Sequence, residues 1–267
     1  MNTIFVHRDG RTEQVTSIDR SWLSPAASVY IWVDLSQPSI PEALVLSDTF
    51  GFHRLAIDDA MMPVQTPKIE AYDGYLFAGL AGGDADIGFF VGPHYLVTVH
   101  WRDSKAIADL MDSVKHGGKA FVDGPVAMFH RLVDGAAHGL KPLLDTLTAW
   151  VNALEKRLTQ RASADFAAEV LDARRDVFAL LQRINREREA LDRLVRRDVV
   201  DLSAEMSFRF RDVRDKLLRL SDEALALEHR LAGLLVMASA PGRWFWPGPS
   251  TCSMMAAIFQ ARAERES

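Results

Sequence analysis

The 267-residue sequence has one cysteine, Cys252. No intrachain disulfide can form, and a reducing cytoplasm is the expected compartment. Long apolar runs are also missing. The nearest approaches, residues 231–240 and 254–259, fall well short of the ~18 residues that read as a membrane-spanning helix. The opening stretch MNTIFVHRDGRTEQ has no apolar core and meets charge at His7, Arg8 and Asp9, so it does not read as a signal peptide. Positive charge is not in excess. The formal net charge of −5 gives no general attraction to nucleic acid or an anionic bilayer, and nucleic acid is not an expected partner. Catalytic signatures are absent as well. There is no phosphate-binding glycine loop, G-x-S-x-G elbow, H-E-x-x-H pair or C-x-x-C, and Cys252 has no recognisable base nearby in sequence. An enzyme is not indicated.

What is present is an ordinary globular composition, 48% hydrophobic and 25% charged, with enough apolar residues for a core. The pattern predicts an α/β (α+β) domain with a mixed sheet over residues 1–122. A region of three long helices follows over 123–240, ending in a stalk-like heptad helix, and then an atypical tail over 241–267. Strands are predicted at SVYIWVDL (28–35), YLFAGLAG (75–82), DIGFFVG (86–92) and HYLVTVHW (94–101). Gly92-Pro93 supplies the turn between the last two. In the final strand Tyr95, Val97, Val99 and Trp101 share an apolar face, while His94, Leu96, Thr98 and His100 make a mixed one. That contrast predicts a helix on one side only. Helices are expected over about 39–50, 53–61 and 103–115, the last capped by Asp103 or Ser104.

Asp123-Gly124-Pro125 marks the start of the helical region. The first stripe reads Phe129, Leu132, Ala136, Leu140, Leu143, Leu147, Trp150, Leu154, with Pro142 expected to bend the helix without ending it. The second reads Phe166, Val170, Ala173, Val177, Leu180, Ile184, Leu191, Leu194, capped by Ser163 or Asp165. The third, Phe210, Val213, Leu217, Leu220, Ala224, Leu227, Leu231, Leu234, alternates steps of three and four throughout. This seam predicts a stalk helix in an oligomer. The plainer alternative is an antiparallel bundle within one chain. The rival function is a soluble scaffold that binds another coiled coil through the seam.

Histidines do not suggest a shared ion: His94 and His100 are about 20 Å apart along one strand face, and His130 and His138 about 12 Å apart along a helix. Carboxylates are better candidates. Asp84 and Asp86 lie at a hairpin tip, GGDADIG, and Asp212 and Asp215 lie one turn apart on the third helix. Such oxygen ligands suit magnesium, although acidic turns and solvated helix faces also carry them.

Several segments, in order, resemble the CorA family of divalent-cation transporters. They are FHRLAIDDAMMPVQTPKIEAYDGYLFAGL (52–80), FFVGPHYLVTVH (89–100), GPVAMFHRLVDG (124–135), LEKRL (154–158) and FRFRDVRDKLLRLSDEALALEHRLAGLL (208–235). The likeness spans roughly residues 30–240, and the zinc-transporting branch of the superfamily shares the architecture. It implies a cytosolic metal-sensing domain that assembles as a pentamer, with magnesium or another divalent cation as regulatory ligand. By resemblance, Asp212 stands where the family's stalk carboxylate stands, and Asp86 or Asp84 near the opposing loop carboxylate. Full-length relatives continue into an inner-membrane pore with a Gly-Met-Asn signature, and this sequence contains none. The expectation is a chain truncated before the pore, with a frameshift near codon 240 favoured over a genuine short tail.

Overall fold

The computed structural model describes residues 2–24, 27–116, 121, 123–158, 166–196 and 202–239. Cys252, the expected caps Ser163 and Asp165, and the 241–267 tail lie outside the described residues.

The chain runs β1 (Asn2–Arg8), β2 (Arg11–Val15), β3 (Val29–Ser36), α1 (Ile40–Asp48), α2 (Arg54–Ala60), β4 (Lys68–Tyr72), β5 (Tyr75–Ala81), β6 (Asp86–Val91), β7 (Tyr95–His100) and α3 (Lys105–Lys115). Four longer helices follow: α4 (Gly124–His138), α5 (Leu140–Leu158), α6 (Phe166–Val195) and α7 (Ala204–Ser239). The seven strands form one mixed sheet in the order β2-β1-β3-β7-β6-β5-β4. The β3–β7 pair is parallel and the others antiparallel. The mixed sheet and helical second half agree with expectation, while β1, β2 and β4 are additions to it. Asp9 and Gly10 both have positive φ, 51° and 73°, the conformation that closes a two-residue hairpin with the right twist.

Both sheet faces are covered. Val33, Leu35, Phe77, Phe90, Val97 and Val99 pack with Leu46, Phe52, Ala56 and Ala60 of the α1–α2 side. The opposite face places Trp32, Ile87, Phe89 and Leu96 in a second cluster that continues through α3 and α4 to the ends of α6 and α7. The expectation of a helix on one side of β7 is therefore corrected. Its mixed face is buried too, with Thr98 0% and His100 4% exposed. Alternation alone mistook polar side chains for solvent-facing ones; their hydrogen bonds are made inside the protein.

Two expectations about the helices also change. The first long helix is two, because the chain breaks at Gly139, three residues before Pro142. The break shifts the apolar phase by one residue: Leu143 is 40% exposed, and Leu144 takes the buried position. The third stripe is helical over its predicted length, but its seam is not left for another chain. Phe210, Val213, Leu217, Leu220, Ala224, Leu227, Leu231 and Leu234 are all buried within this chain. They join the cluster formed by the buried faces of α5 and α6, and that is the intrachain alternative.

Candidate metal-binding residues and their surroundings

The hairpin between β5 and β6 carries Asp84 and opens into Asp86, the first residue of β6. Close backbone packing fixes its position. Gly83 N–H donates to the Ala136 carbonyl at 3.2 Å. A Cβ on Gly83 would clash with the backbone of Gly139, so the hairpin rests directly on the α4–α5 break.

The two hairpin aspartates face different partners. Asp84 accepts the Lys105 backbone N–H at 2.5 Å and so supplies the side-chain cap of α3. Ser104, the residue at the cap position, makes no capping bond, and its buried hydroxyl has no hydrogen-bond partner among the described residues. Asp86 accepts the Val64 N–H at 3.2 Å through one oxygen, while its other oxygen lies 3.6 Å from the Arg183 guanidinium. Asp212 projects from α7 with its side chain 58% exposed and meets Lys216 Nζ at 3.0 Å. The same amine lies 2.7 Å from Asp134 of α4. Asp134 and Asp84 line one surface groove of about 740 Å³, together with Lys105, Asp109, Arg131 and His138. The groove and the Lys216 bridge thus connect the hairpin to the helix that bears Asp212. Asp215 is held by the adjacent Arg214 at 2.8 Å.

Among the described residues, no group of three or more His, Cys, Asp or Glu side chains could hold a metal ion. The separation of the histidines stands: His94 stacks on Tyr30, whereas His100 pairs with Asp34. The carboxylates suit a hard cation that keeps several waters, but the described residues of one chain supply no closed site. Asp212 presents an outward carboxylate held by an amine that has a second acidic partner.

Two buried polar clusters beside the hairpin were not anticipated. Glu187 of α6 is 6% exposed and accepts the Ala81 N–H at the end of β5. Arg183, one turn earlier, donates to the Ala81 carbonyl at 3.1 Å and to the Gly82 carbonyl. Burial pushes the Glu187 carboxyl up to about 7, against the opposing effects of the Ala81 hydrogen bond and the Arg183 charge. The sequence carried a trace of this residue: the second stripe skips from Ile184 to Leu191, and Glu187 fills the gap. The other cluster is Asp34, Thr98 and His100 at the adjoining ends of β3 and β7, with Thr98 donating to Asp34 Oδ1 at 2.5 Å. Asp34 lies 64 and 66 residues from Thr98 and His100 in sequence, so the cluster leaves no local signal.

No helix among the described residues is long and apolar enough to cross a membrane. The family model described as CorA-like Mg2+ transporter protein matches residues 27–235. The putative metal ion transporter YfjQ of Bacillus subtilis (strain 168) is 28% identical over 216 residues, which is 79% of this chain and 65% of the relative. The chain therefore spans just under two thirds of that relative's length. The soluble domain of CorA from Methanocaldococcus jannaschii superposes with a TM-score of 0.73 at 16% identity, covering 88% of this chain and 96% of that one. The ZntB cytoplasmic domain from Vibrio parahaemolyticus RIMD 2210633 gives 0.72 at 13% identity, covering 88% and 95%. These two likenesses show the shared fold. With the family model matched across most of its length, the chain belongs to the CorA-like Mg2+ transporter protein family.

Proposed function

We propose that this chain is the cytoplasmic metal-sensing part of a magnesium or related divalent-cation transporter. The observation that carries the reading is Asp212: it stands exposed on α7, tethered through a shared lysine, while the apolar seam of the same helix is buried. The sheet domain, residues 1–122, contributes the hairpin with Asp84 and Asp86. The helical region, residues 123–240, contributes Asp212. In a ring of copies, five by family resemblance, Asp212 of one subunit faces the hairpin carboxylates of the next. A hydrated cation between them offsets the repulsion of like charges and holds the ring closed; its loss restores the repulsion and favours opening. Magnesium fits this role because it accepts one or two carboxylates and retains water. The zinc-transporting branch shares the fold, so the preferred ion is part of the proposal.

Limited proteolysis with increasing magnesium tests the reading. Protection is expected to rise at millimolar magnesium in the unaltered chain and to weaken markedly in Asp212→Ala. Equal protection in both would remove Asp212 from the site. The scaffold alternative loses its intended surface because the α7 seam is buried. Sedimentation unchanged by millimolar magnesium would be the result that favours it.

A further inference from the structure

His100 closes β7 with both ring nitrogens engaged. Its Nε2 lies 3.2 Å from Asp34 Oδ2, and its Nδ1 lies 2.7 Å from the Arg102 carbonyl oxygen. A carbonyl oxygen can only accept, so Nδ1 carries a hydrogen. The indole N–H of Trp32 donates to the Thr98 hydroxyl at 3.1 Å, which leaves the Thr98 hydrogen for Asp34 Oδ1. The Nε2–Asp34 Oδ2 contact therefore needs a proton of its own. Wherever that proton sits between the two atoms, the pair holds one more than a neutral imidazole beside a carboxylate.

We propose that Asp34 and His100 form a proton-controlled latch on the turn between β7 and α3. When the extra proton leaves, His100 has one N–H for two acceptors. The charged Asp34 is the stronger acceptor and keeps it. The Nδ1 lone pair then faces the Arg102 carbonyl, and the turn loses its hold at that point. Three residues later Lys105 starts α3, with its N–H on Asp84. Release at Arg102 therefore loosens the segment that Asp84 caps.

The charges acting on His100 favour the latched form. Asp34 faces it from β3 and Asp103 from the following turn, both acidic. The helices packed on this sheet face, α3 and α4, bury apolar side chains there, including Ile107, Leu110, Leu132 and Val133. Burial alone would lower the imidazole pKa; the hydrogen bond and charge of Asp34, helped by the Arg102 carbonyl and Asp103, outweigh it and raise it above the usual histidine value of 6.5. The latch is accordingly closed below that value and opens as pH rises through the raised one.

Nitrogen-15 spectra of the His100 ring, combined with amide hydrogen exchange from Arg102 to Lys105, test this across pH 6–9 in metal-free buffer. Both ring nitrogens are expected to be protonated at pH 6. Protection of the Lys105 amide, corrected for the intrinsic rate, should fall about tenfold as the second proton leaves, the effect of losing roughly one hydrogen bond. Asp34→Asn should move the transition to lower pH. If that variant does not fold, Asp103→Asn in the exposed turn should produce a smaller shift in the same direction. A neutral His100 ring at pH 6, or protection unchanged through its titration, would overturn the latch. The experiment contains no divalent cation and reads only this turn, so its failure is separate from failure of the metal-sensing reading.

Discussion

Glu187→Gln removes a negative charge from the boundary between α6 and the sheet and keeps an acceptor for the Ala81 N–H. Raising this carboxyl from 4.5 to about 7 corresponds to roughly 3 kcal/mol, at about 1.4 kcal/mol per pH unit. The sign follows from proton counts. Between pH 4.5 and 7 the folded chain holds the Glu187 proton and the unfolded chain releases it, so stability falls as pH rises. The full penalty is present above about pH 7 and absent below 4.5. Glutamine never ionises and escapes it. Urea unfolding at intervals from pH 5 to 8.5 should show the variant more stable by about 2–3 kcal/mol at pH 8. The gain should shrink toward zero at pH 5, with an unchanged urea slope. The refuting result is a variant destabilised at pH 8. That would mean attraction between Glu187 and Arg183 exceeds the cost of burying the charge, as when one partner of a buried ion pair is removed.

Two other substitutions probe the hairpin and the stalk. Gly83→Ala forces a methyl group into the backbone of Gly139, and thermal or urea unfolding should register a loss of about 1–3 kcal/mol or more, the usual cost of overpacking. Gly233→Ala is the control: an added Cβ there meets nothing within 4 Å, so a comparable loss would refute the close-approach argument. Lys216→Met removes the amine that competes for Asp212. In the proteolysis titration, half-protection should shift to about 1.4- to fivefold less magnesium, given the ~0.2–1 kcal/mol of a partly exposed ion pair. No shift would show that Lys216 does not restrain Asp212.

Local spacing made the long helices legible, because the eight residues of the α7 stripe repeat without a fault and all are buried. It did not show where they pack. A seam looks the same whether its partner is another subunit or α6 of the same chain. The break at Gly139 was hidden because apolar spacing stays compatible with helix across it, and only the exchange of Leu143 for Leu144 reveals the change of phase. β2 reads as polar because none of its five residues is fully buried. The Asp9-Gly10 turn was the available clue to that hairpin. On β7, Thr98 and His100 looked solvent-facing since their partner Asp34 lies on a strand far away in sequence. Asp84, Asp86 and Asp212 were visible as residues. Their different partners in the chain, an α3 amide, the Val64 amide and a shared lysine, depend on tertiary packing that no motif encodes.

The contact between Phe129 of α4 and Phe210 of α7, with ring centroids 5.6 Å apart, lies near one end of a long rod. From Phe210 to Ser239 the helix extends about 43 Å at ~1.5 Å per residue. A tilt of about 5° around that aromatic contact carries the distal end roughly 4 Å. Asp212 stands two residues from this contact, so a pull applied there would act through a short arm and its displacement would be multiplied along the long one. Any such tilt would carry α6 with it, because the seam buried between the two helices joins them.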